Sequence, residues 1–229
     1  MNFAIFAIKF CIVYEKRQPC EAASARMIYL NDRIGDLDVE SALPLLSEQR
    51  RQEALRYRRD LGRRTCVAAY LLLRQGLQQE YGIEEMPVFS YGEHGKPALV
   101  GYPHIHFNLS HCREAVACVL SDCPVGIDVE SVGRYNEQVA RYTMSDREME
   151  LILQAERPEM VFTRLWTMKE AVLKLSGEGL RDNLKDVLTG RYALGCEGEG
   201  AVSVPLITTV EAPDGRYVYS VAYGSGGGK

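Results

Sequence analysis

The order of predicted helices and strands constrains the fold of this 229-residue chain more than any other feature. Helical patterns come first, strand patterns follow, and the same order then repeats without a strict alternation of strand and helix. This order favours an α+β fold over a doubly wound parallel sheet. The predicted helices cover residues 47–81, 145–156 and 159–176, and the predicted strands cover 106–109, 115–120, 125–130, 192–194, 201–209 and 216–222.

The N-terminal segment allows more than one interpretation. Residues 3–14 are apolar apart from Lys9, too short to span a bilayer and without a basic segment before them, which favours a first strand over a signal peptide. A second interpretation is that the domain begins near Met27. Residues 1–26 would then be either a genuine extension or the product of a wrongly chosen start codon, and we prefer the wrongly chosen start codon. The predicted segments are an N-terminal extension, 1–26, a first α+β half, 27–122, a second α+β half, 123–223, and a flexible glycine-rich tail, 224–229.

Composition disfavours several classes of function. Hydrophobic residues make up 46% of the chain and charged residues 25%, as in ordinary globular proteins. The formal net charge of -4 disfavours nucleic-acid binding, because dedicated nucleic-acid-binding domains carry a basic excess. The seven cysteines are odd in number and show no CxxC spacing, which indicates a reducing, cytoplasmic location rather than a disulfide framework.

One predicted strand carries two acidic residues on a single face. In the strand 125–130, three apolar residues alternate with Gly126, Asp128 and Glu130. Two carboxylates on one face repel each other unless a positive charge lies near them. A hard divalent cation would provide that charge, since it takes oxygen ligands and keeps water molecules for a substrate phosphate. The alternative is a solvated strand face at a sheet edge, and the strand alone favours that alternative.

The predicted helix 165–175 adds a third carboxylate. Glu170 and Lys174 are four residues apart, so they lie one above the other, on a different face from the apolar stripe. The pair is either an exposed ion pair, which stabilises a helix by only a few tenths of a kcal/mol, or a metal ligand beside a lysine that neutralises phosphate.

Two further segments carry groups that bind phosphate. Ser110 and His111 end a predicted strand, where the pattern indicates either phosphate binding through a hydroxyl and an imidazole or a turn with a capping serine. Seven arginines lie within residues 50–64. Such a run is typical of a solvated helix face, or of a surface that binds phosphate or an acidic partner.

Three motifs with an ordered spacing resemble those of a known family. They are Phe107-Asn108-Leu109-Ser110-His111, Gly126-Ile127-Asp128-Val129-Glu130 and the segment 166–174, after which Gly177-Glu178-Gly179-Leu180 follows. The chain resembles the Sfp-type 4'-phosphopantetheinyl transferases in this ordered set, although each motif alone is weak. The resemblance runs from about Met27 to near Tyr223, so residues 1–26 have no counterpart in it.

The resemblance implies a fold and a set of site residues. The fold is two similar α+β halves related by a pseudo-two-fold axis, with coenzyme A in the cleft between them. The implied residues are Asp128, Glu130 and Glu170 as magnesium ligands, Glu170 and Lys174 as catalytic residues, and Arg64, Lys96, Ser110 and His111 as coenzyme A contacts. The family places lysines where this chain has Gln49 and Gln52, so the nucleotide 3'-phosphate is expected to be held differently here.

The activity implied by the resemblance is transfer of the 4'-phosphopantetheine group of coenzyme A to a serine of an apo carrier protein. The serine attacks the phosphorus nearer the pantetheine and adenosine 3',5'-bisphosphate leaves, with Glu170 or a water on the ion as the base. The implied partner is an acyl or peptidyl carrier protein that docks near residues 141–148. A monomer is expected, without a nucleic-acid or membrane partner.

Three other functions remain as alternatives. A short trimeric holo-acyl-carrier-protein synthase has one such half per chain, whereas this chain has the length of two. A non-catalytic coenzyme A- or carrier-protein-binding module would not need all three carboxylates. A nucleic-acid-binding helix would leave the carboxylate motifs without a role.

Overall fold

The computed structural model describes residues 11–13, 26–92, 94–133, 135–177, 184–188 and 205–224. The helices in these ranges are α1 (Val39–Ala42), α2 (Glu48–Arg56), α3 (Asp60–Tyr81), α4 (Glu137–Thr143), α5 (Asp146–Gln154) and α6 (Pro158–Ser176). The strands are β1 (Cys11–Val13), β2 (Arg26–Asn31), β3 (Phe89–Tyr91), β4 (Pro97–Leu99), β5 (His106–His111), β6 (Val116–Ser121), β7 (Val125–Ser131), β8 (Leu206–Glu211) and β9 (Tyr217–Tyr223). The predicted strand residues 192–194 and 201–204, the tail 225–229 and most of the predicted extension lie outside the described residues.

The described strands form three antiparallel sheets. Their orders are β1-β2-β6-β5, β3-β4 and β7-β9-β8. Cys11 in β1 lies opposite Leu30 in β2, so the N-terminal segment contributes the first strand that its apolar pattern predicts. Because helices and antiparallel strands are segregated along the chain, the predicted α+β class is confirmed.

Two long helices cover the outer faces of two packed sheets. Helix α3 packs on one face of the four-stranded sheet, where Leu72 and Leu120 share a core. The opposite face packs on the three-stranded sheet, with Val119 against the cluster that includes Ile127. Val172 of α6 covers the far side of the three-stranded sheet. None of the described helices is both long and apolar enough to cross a membrane.

Turn and capping signals in the sequence set three helix ends as predicted. Gly82 ends α3 with a φ of +66°, and Gly177 ends α6 with a φ of +71°, a left-handed backbone that glycine adopts without strain. Helix α5 begins with a capping box, in which the Ser145 hydroxyl accepts the Glu148 N–H and the Glu148 carboxylate accepts the Ser145 N–H.

The prediction of unbroken helix over 47–81 is wrong at residues 57–59. Tyr57 is extended, with a φ of -69° and a ψ of 121°, and α3 starts again at Asp60. The Tyr57 ring packs where a side chain on Gly62 would lie, because a Cβ there would be 2.7 Å from the Tyr57 Cδ1. Gly62 thus favours the interruption of the helix at residues 57–59, which the polar helical pattern of the sequence does not reveal. Helix α4 and the β3–β4 hairpin lie in segments for which no element is predicted, because each is short.

Candidate active site

Gly126 determines how closely strand β7 and helix α6 approach each other. A Cβ atom at this position would overlap the Ala171 carbonyl oxygen and the Leu175 amide nitrogen, and would lie 3.0 Å from the Leu175 Cα. Glycine therefore allows the two backbones to touch. The face of β7 that carries Asp128 and Glu130 turns toward α6, because the alternate apolar residues of β7 lie in the core between the sheets.

Three side chains from β5, β7 and α6 form one hydrogen-bonded group, which we call the Asp128 cluster: Asp128, Ser110 and Lys174. The Lys174 Nζ donates to the Asp128 Oδ1 at 2.6 Å and to the Ser110 Oγ at 2.9 Å. The Ser110 hydroxyl donates to the same Oδ1 at 2.9 Å. Because Asp128 is only 4% exposed, the Lys174 ammonium compensates a carboxylate that water reaches poorly.

Glu170 places a second carboxylate beside the Asp128 cluster. Burial raises the pKa of Glu170, the charge of Asp128 raises it further, and the Lys174 ammonium lowers it. The predicted i,i+4 pair is therefore not a plain exposed ion pair, since the ammonium of Lys174 bonds to Asp128. Glu170 and Asp128 are close enough for the charge of Asp128 to act on Glu170.

Glu130, the third predicted ligand, lies farther along the same face of β7. It lines a small cavity of about 180 Å³ together with Phe162 and Trp166 of α6. Those two aromatic rings stack with their centroids 6.0 Å apart. Among the residues that the structure describes, no three His, Cys, Asp or Glu side chains lie close enough together to hold a metal ion.

The chemistry of these carboxylates fits a hard divalent cation. The Asp128 Oδ2 is buried and has no hydrogen-bond partner among the described residues. An unsatisfied buried carboxylate oxygen is costly, and a cation would satisfy it. The same cation would compensate the burial and the Asp128 charge that raise the pKa of Glu170, and carboxylate oxygen is the ligand that magnesium prefers.

A larger cavity adjoins the Asp128 cluster at His111. Its volume is about 650 Å³, and its wall is formed by residues 57–59, 61–62, 65, 111–113 and 131–133. The basic and hydroxyl-bearing residues in this wall are Tyr57, Arg58, Arg59, Thr65, His111, Arg113 and Ser131. Arginine and hydroxyl groups in a cavity of this size suit a ligand with phosphate groups.

His111 connects this cavity electrostatically with the Asp128 cluster. Burial lowers the pKa of His111, and the positive charge of Lys174 lowers it further, whereas Asp128 opposes these effects. The imidazole is therefore neutral near pH 7, and one ring nitrogen is free to donate a hydrogen bond while the other accepts one.

Two residues that the resemblance assigns to coenzyme A make other contacts. Arg64 pairs with Asp60 and donates to the carbonyl oxygens of Gly35 and Leu37. The Lys96 Nζ donates to two carbonyl oxygens at the end of α6. Neither residue belongs to the wall of the 650 Å³ cavity.

The sequence patterns identify only some of the residues that line the 650 Å³ cavity. The arginine run contains Arg58 and Arg59, but it did not distinguish them from its other members. Thr65 and Arg113 carry no comparable signal in the sequence. The contact of Asn108 is likewise not visible in the sequence, because its Oδ1 accepts the Ile127 N–H of β7 at 2.9 Å. Its side chain therefore helps to dock β5 on β7.

Replacing Glu170 with Gln is expected to stabilise the free protein at neutral pH. Because burial raises the pKa of Glu170 in the folded state, the unfolded chain releases this proton at a lower pH than the folded protein does. The stability of the wild type therefore falls as the pH rises from the unfolded pKa through the folded one. Thermal unfolding in EDTA without ligand should give a higher midpoint for Glu170→Gln at pH 7 and similar midpoints below pH 4.5.

The matched control for this prediction is Glu156→Gln, which changes an exposed carboxylate. We expect its unfolding free energy to differ from that of the wild type by less than about 0.5 kcal/mol at either pH. A Glu170→Gln protein that is less stable than the wild type at pH 7 would contradict the unfavourable burial of this carboxylate.

Comparisons of the sequence with known proteins identify a matching superfamily and several relatives. Residues 124–202 match the 4'-phosphopantetheinyl transferase superfamily. The chain is 33% identical to the 4'-phosphopantetheinyl transferase psf-1 of Bacillus pumilus over 179 residues, which cover 77% of this chain and 76% of the relative. It is 28% identical to the 4'-phosphopantetheinyl transferase Sfp of Bacillus subtilis (strain 168) over 183 residues, which cover 78% and 79%. It is 35% identical to the 4'-phosphopantetheinyl transferase AcpT of Salmonella typhimurium over 120 residues, which cover 50% of this chain and 59% of the relative.

Proposed function

Because the chain belongs to the 4'-phosphopantetheinyl transferase family, we propose that the Asp128 cluster, Glu170 and the adjoining 650 Å³ cavity form its active site. The enzyme transfers the 4'-phosphopantetheine group of coenzyme A to a serine of an apo carrier protein and releases adenosine 3',5'-bisphosphate. The observation that carries this assignment is the contact of Lys174 with Asp128 at 2.6 Å, with Glu170 beside the pair. Lys174 provides a positive charge that can bind phosphate, and the carboxylates can bind a metal ion or accept a proton.

Asp128, Glu130 and Glu170 are the proposed ligands of a magnesium ion, and binding would have to draw them closer together than they lie in the described part of the chain. When bound, the ion neutralises charge on the diphosphate of coenzyme A. The unsatisfied Asp128 Oδ2 and the raised pKa of Glu170 support this ligand set. Glu130 lines the small cavity beside Phe162 and Trp166.

The proposed reaction is an in-line transfer at the phosphorus nearer the pantetheine. The carrier serine oxygen forms a bond to this phosphorus, and the bond from phosphorus to the oxygen of the departing adenosine bisphosphate breaks. In this proposal the Glu170 carboxylate, which lies beside the Asp128–Lys174 pair, accepts the serine proton. Lys174 lies where its ammonium offsets the charge that accumulates on the leaving phosphate.

His111 and the arginines of the cavity wall are the proposed contacts for the phosphates of coenzyme A. Arg58, Arg59 and Arg113 line the cavity, and a guanidinium group binds phosphate with two parallel hydrogen bonds. These arginines take the place of the lysines that the family has where this chain has Gln49 and Gln52. Arg64 and Lys96 retain only an indirect role in this proposal, because their donors already serve backbone carbonyls.

The finer architecture belongs to the same proposal. Residues 27–122 and 123–223 are two halves related by a pseudo-two-fold axis, and coenzyme A lies in the cleft between them. The wall of the 650 Å³ cavity, which both segments contribute to, supports this arrangement. The enzyme acts as a cytoplasmic monomer, and the carrier protein docks near residues 141–148, where Tyr142 is 75% exposed.

Intact-mass spectrometry of a carrier protein tests the proposed function. Incubation of the enzyme with coenzyme A, magnesium and an apo carrier is expected to add the mass of one phosphopantetheine group to the carrier. Fatty-acid, polyketide and nonribosomal-peptide carriers should be compared, because the sequence does not identify the carrier. Binding of coenzyme A without a mass gain on any carrier would favour a non-catalytic binding module instead.

A further inference from the structure

Three hydroxyl groups connect helix α6 to the three-stranded sheet. They belong to Thr209 of β8, Ser220 of β9 and Thr167 of α6, and the oxygens of neighbouring hydroxyls are 2.8 Å apart. We propose that Ser220 and Thr167 are positioning residues for Glu170, because the bond between them sets where α6 lies on the sheet and thus where the Glu170 carboxylate lies relative to Asp128. The inference rests on the proposed function, because it concerns how a proposed metal ligand and base of that site is held.

The hydrogen bonds of this chain of hydroxyls run in one direction. A hydroxyl has a single hydrogen to donate, and the Thr167 hydroxyl donates its hydrogen to the Arg164 carbonyl oxygen at 3.0 Å, within α6. The Ser220 hydroxyl must therefore donate to Thr167, and the Thr209 hydroxyl must donate to Ser220. Every hydrogen in the chain then has an acceptor, and a fully satisfied polar network of this kind specifies one arrangement of the elements that it joins.

The contact between Ser220 and Thr167 lies where water does not reach. Both residues are 0% exposed, so a hydroxyl that lost its partner there would not find a water molecule to replace it. The apolar contacts of α6 with the sheet, such as those of Val172, are non-directional and tolerate a small shift of the helix. The buried hydrogen bond does not tolerate such a shift, and it therefore selects one position of α6 on the sheet.

Ser220 lies beside Asp128 in the sheet. Strands β7 and β9 pair in antiparallel fashion, and their register places Asp128 directly opposite Ser220. The Cβ atoms of two such residues are about 5 Å apart, on the same face of the sheet. The hydroxyl that binds α6 and the carboxylate that binds Lys174 are thus neighbours on the face that α6 covers.

Glu170 lies between two anchored residues of α6. Thr167 precedes it by three positions and Lys174 follows it by four, so the three residues lie along one side of the helix. Thr167 is bound to Ser220, and the Lys174 ammonium is bound to Asp128 at 2.6 Å. The lysine side chain is long, flexible and 29% exposed, whereas the threonine side chain is short and stiff. The contact of Thr167 is therefore the one that fixes the helix on this side of Glu170.

Steady-state kinetics of Thr167→Val and its matched control, Thr167→Ser, test this inference. Valine keeps the shape of the threonine side chain without the hydroxyl, whereas serine keeps the hydroxyl. We expect Thr167→Val to lower kcat by about 10- to 100-fold and to change the KM for coenzyme A by less than about 3-fold at saturating magnesium. Thr167→Ser should keep kcat within about 3-fold of the wild type. A Thr167→Val enzyme with the kcat of the wild type, or a Thr167→Ser enzyme as slow as Thr167→Val, would overturn the inference.

Binding of Mn²⁺ reports the placement of the carboxylates without turnover. This ion takes the same oxygen ligands as magnesium, and its magnetic resonance signal distinguishes the free from the bound ion. With coenzyme A present and no carrier, the Kd for Mn²⁺ should rise by about 10-fold or more in Thr167→Val and stay within about 2-fold of the wild type in Thr167→Ser. A purely structural role would lower the thermal unfolding midpoint without this change in metal affinity. An unchanged Kd in folded Thr167→Val would therefore overturn the inference.

Ser220→Ala breaks the same bond from the side of the sheet. It should reproduce both effects of Thr167→Val, and it provides the test if Thr167→Val fails to fold. Because the two substitutions remove one bond, the double variant should lower kcat no further than the slower single variant, and effects that multiply would contradict the inference. The two failures are distinguishable: a wild-type protein that modifies no carrier contradicts the proposed function, while an active wild type whose folded Thr167→Val and Ser220→Ala variants keep their kcat and Mn²⁺ affinity contradicts only the positioning roles.

Discussion

Asp128→Asn is expected to lower kcat/KM for phosphopantetheine transfer by at least about 10³-fold. The substitution keeps the size of the side chain but removes the charge that pairs with Lys174 and is proposed to bind the ion. Removing one electrostatic contact to developing phosphate charge typically costs about 10²–10³ in rate, and Asp128 serves two such contacts at once. Intact-mass kinetics on a saturating apo carrier measure this loss.

The loss of activity should exceed what loss of stability explains. Removing one partner of a buried ion pair destabilises a protein by about 3–5 kcal/mol, because it leaves the other charge uncompensated. The Lys174 side chain is 29% exposed, so water can solvate its ammonium, and we expect a cost below about 3 kcal/mol. Asp128→Asn should therefore remain folded in the assay, as thermal unfolding would show.

Asp36→Asn is the matched control for this variant. Asp36 is exposed on a short 3-10 turn remote from β7 in sequence, so its substitution should leave kcat/KM and the unfolding midpoint unchanged. Titration with magnesium gives a second measurement, since Asp128→Asn should need more of the ion for half-maximal activity, if any activity is detectable. Full activity of Asp128→Asn would contradict both its pairing role and its proposed ligand role.

The carboxylates of the site could be predicted because each lies in an element with a clear period. The alternation in 125–130 placed Asp128 and Glu130 on one strand face, and the spacing of four placed Glu170 over Lys174 on one helix. The sequence periodicity of each element does not give the distance between the strand and the helix. That distance depends on Gly126, whose role becomes visible only when α6 lies against it.

The contacts of long side chains were beyond prediction for a different reason. Lys96 lies 78 residues before Lys174 and bonds to its carbonyl oxygen, while Arg64 turns to the carbonyl oxygens of Gly35 and Leu37. A lysine or arginine side chain spans several ångströms and has many rotamers, so its partner is chosen by tertiary packing. A motif match therefore gives the position of such a residue in the chain without giving the direction of its charged group.

The division between α2 and α3 shows a third limit. The charged sequence around residue 57 has good helix formers on both sides, so local propensity favours one helix. The break arises from the packing of the Tyr57 ring against Gly62, and it exposes Arg58 and Arg59 to the cavity. The site thus uses a feature that runs against local helix propensity, as functional sites often do.

Gly126→Ala is expected to destabilise the protein by more than about 3 kcal/mol and to lower transfer activity by at least about 10²-fold. The added methyl group would overlap the Ala171 carbonyl oxygen and the Leu175 amide nitrogen. Both obstacles are backbone atoms of one helix, so α6 must shift as a unit, and overpacking of this kind is not relieved by a rotamer change. A shift of about 1 Å at a catalytic group can cost about 10²-fold in rate. Chemical denaturation and intact-mass kinetics measure the two effects.

Gly35→Ala separates this steric effect from the general effect of replacing a glycine. A Cβ on Gly35 meets no atom within 4 Å, and its φ lies outside the left-handed region, so the substitution should change the unfolding free energy by no more than about 1 kcal/mol. The methyl group at Gly126 displaces α6, and with it the Lys174 ammonium that lies 2.6 Å from Asp128. Stability and activity should therefore fall together in Gly126→Ala, whereas Asp128→Asn loses activity with a smaller loss of stability. A Gly126→Ala enzyme with wild-type stability and activity would show that β7 and α6 do not touch at this glycine, and the closeness of the strand carboxylates to Glu170 and Lys174 would then need another explanation.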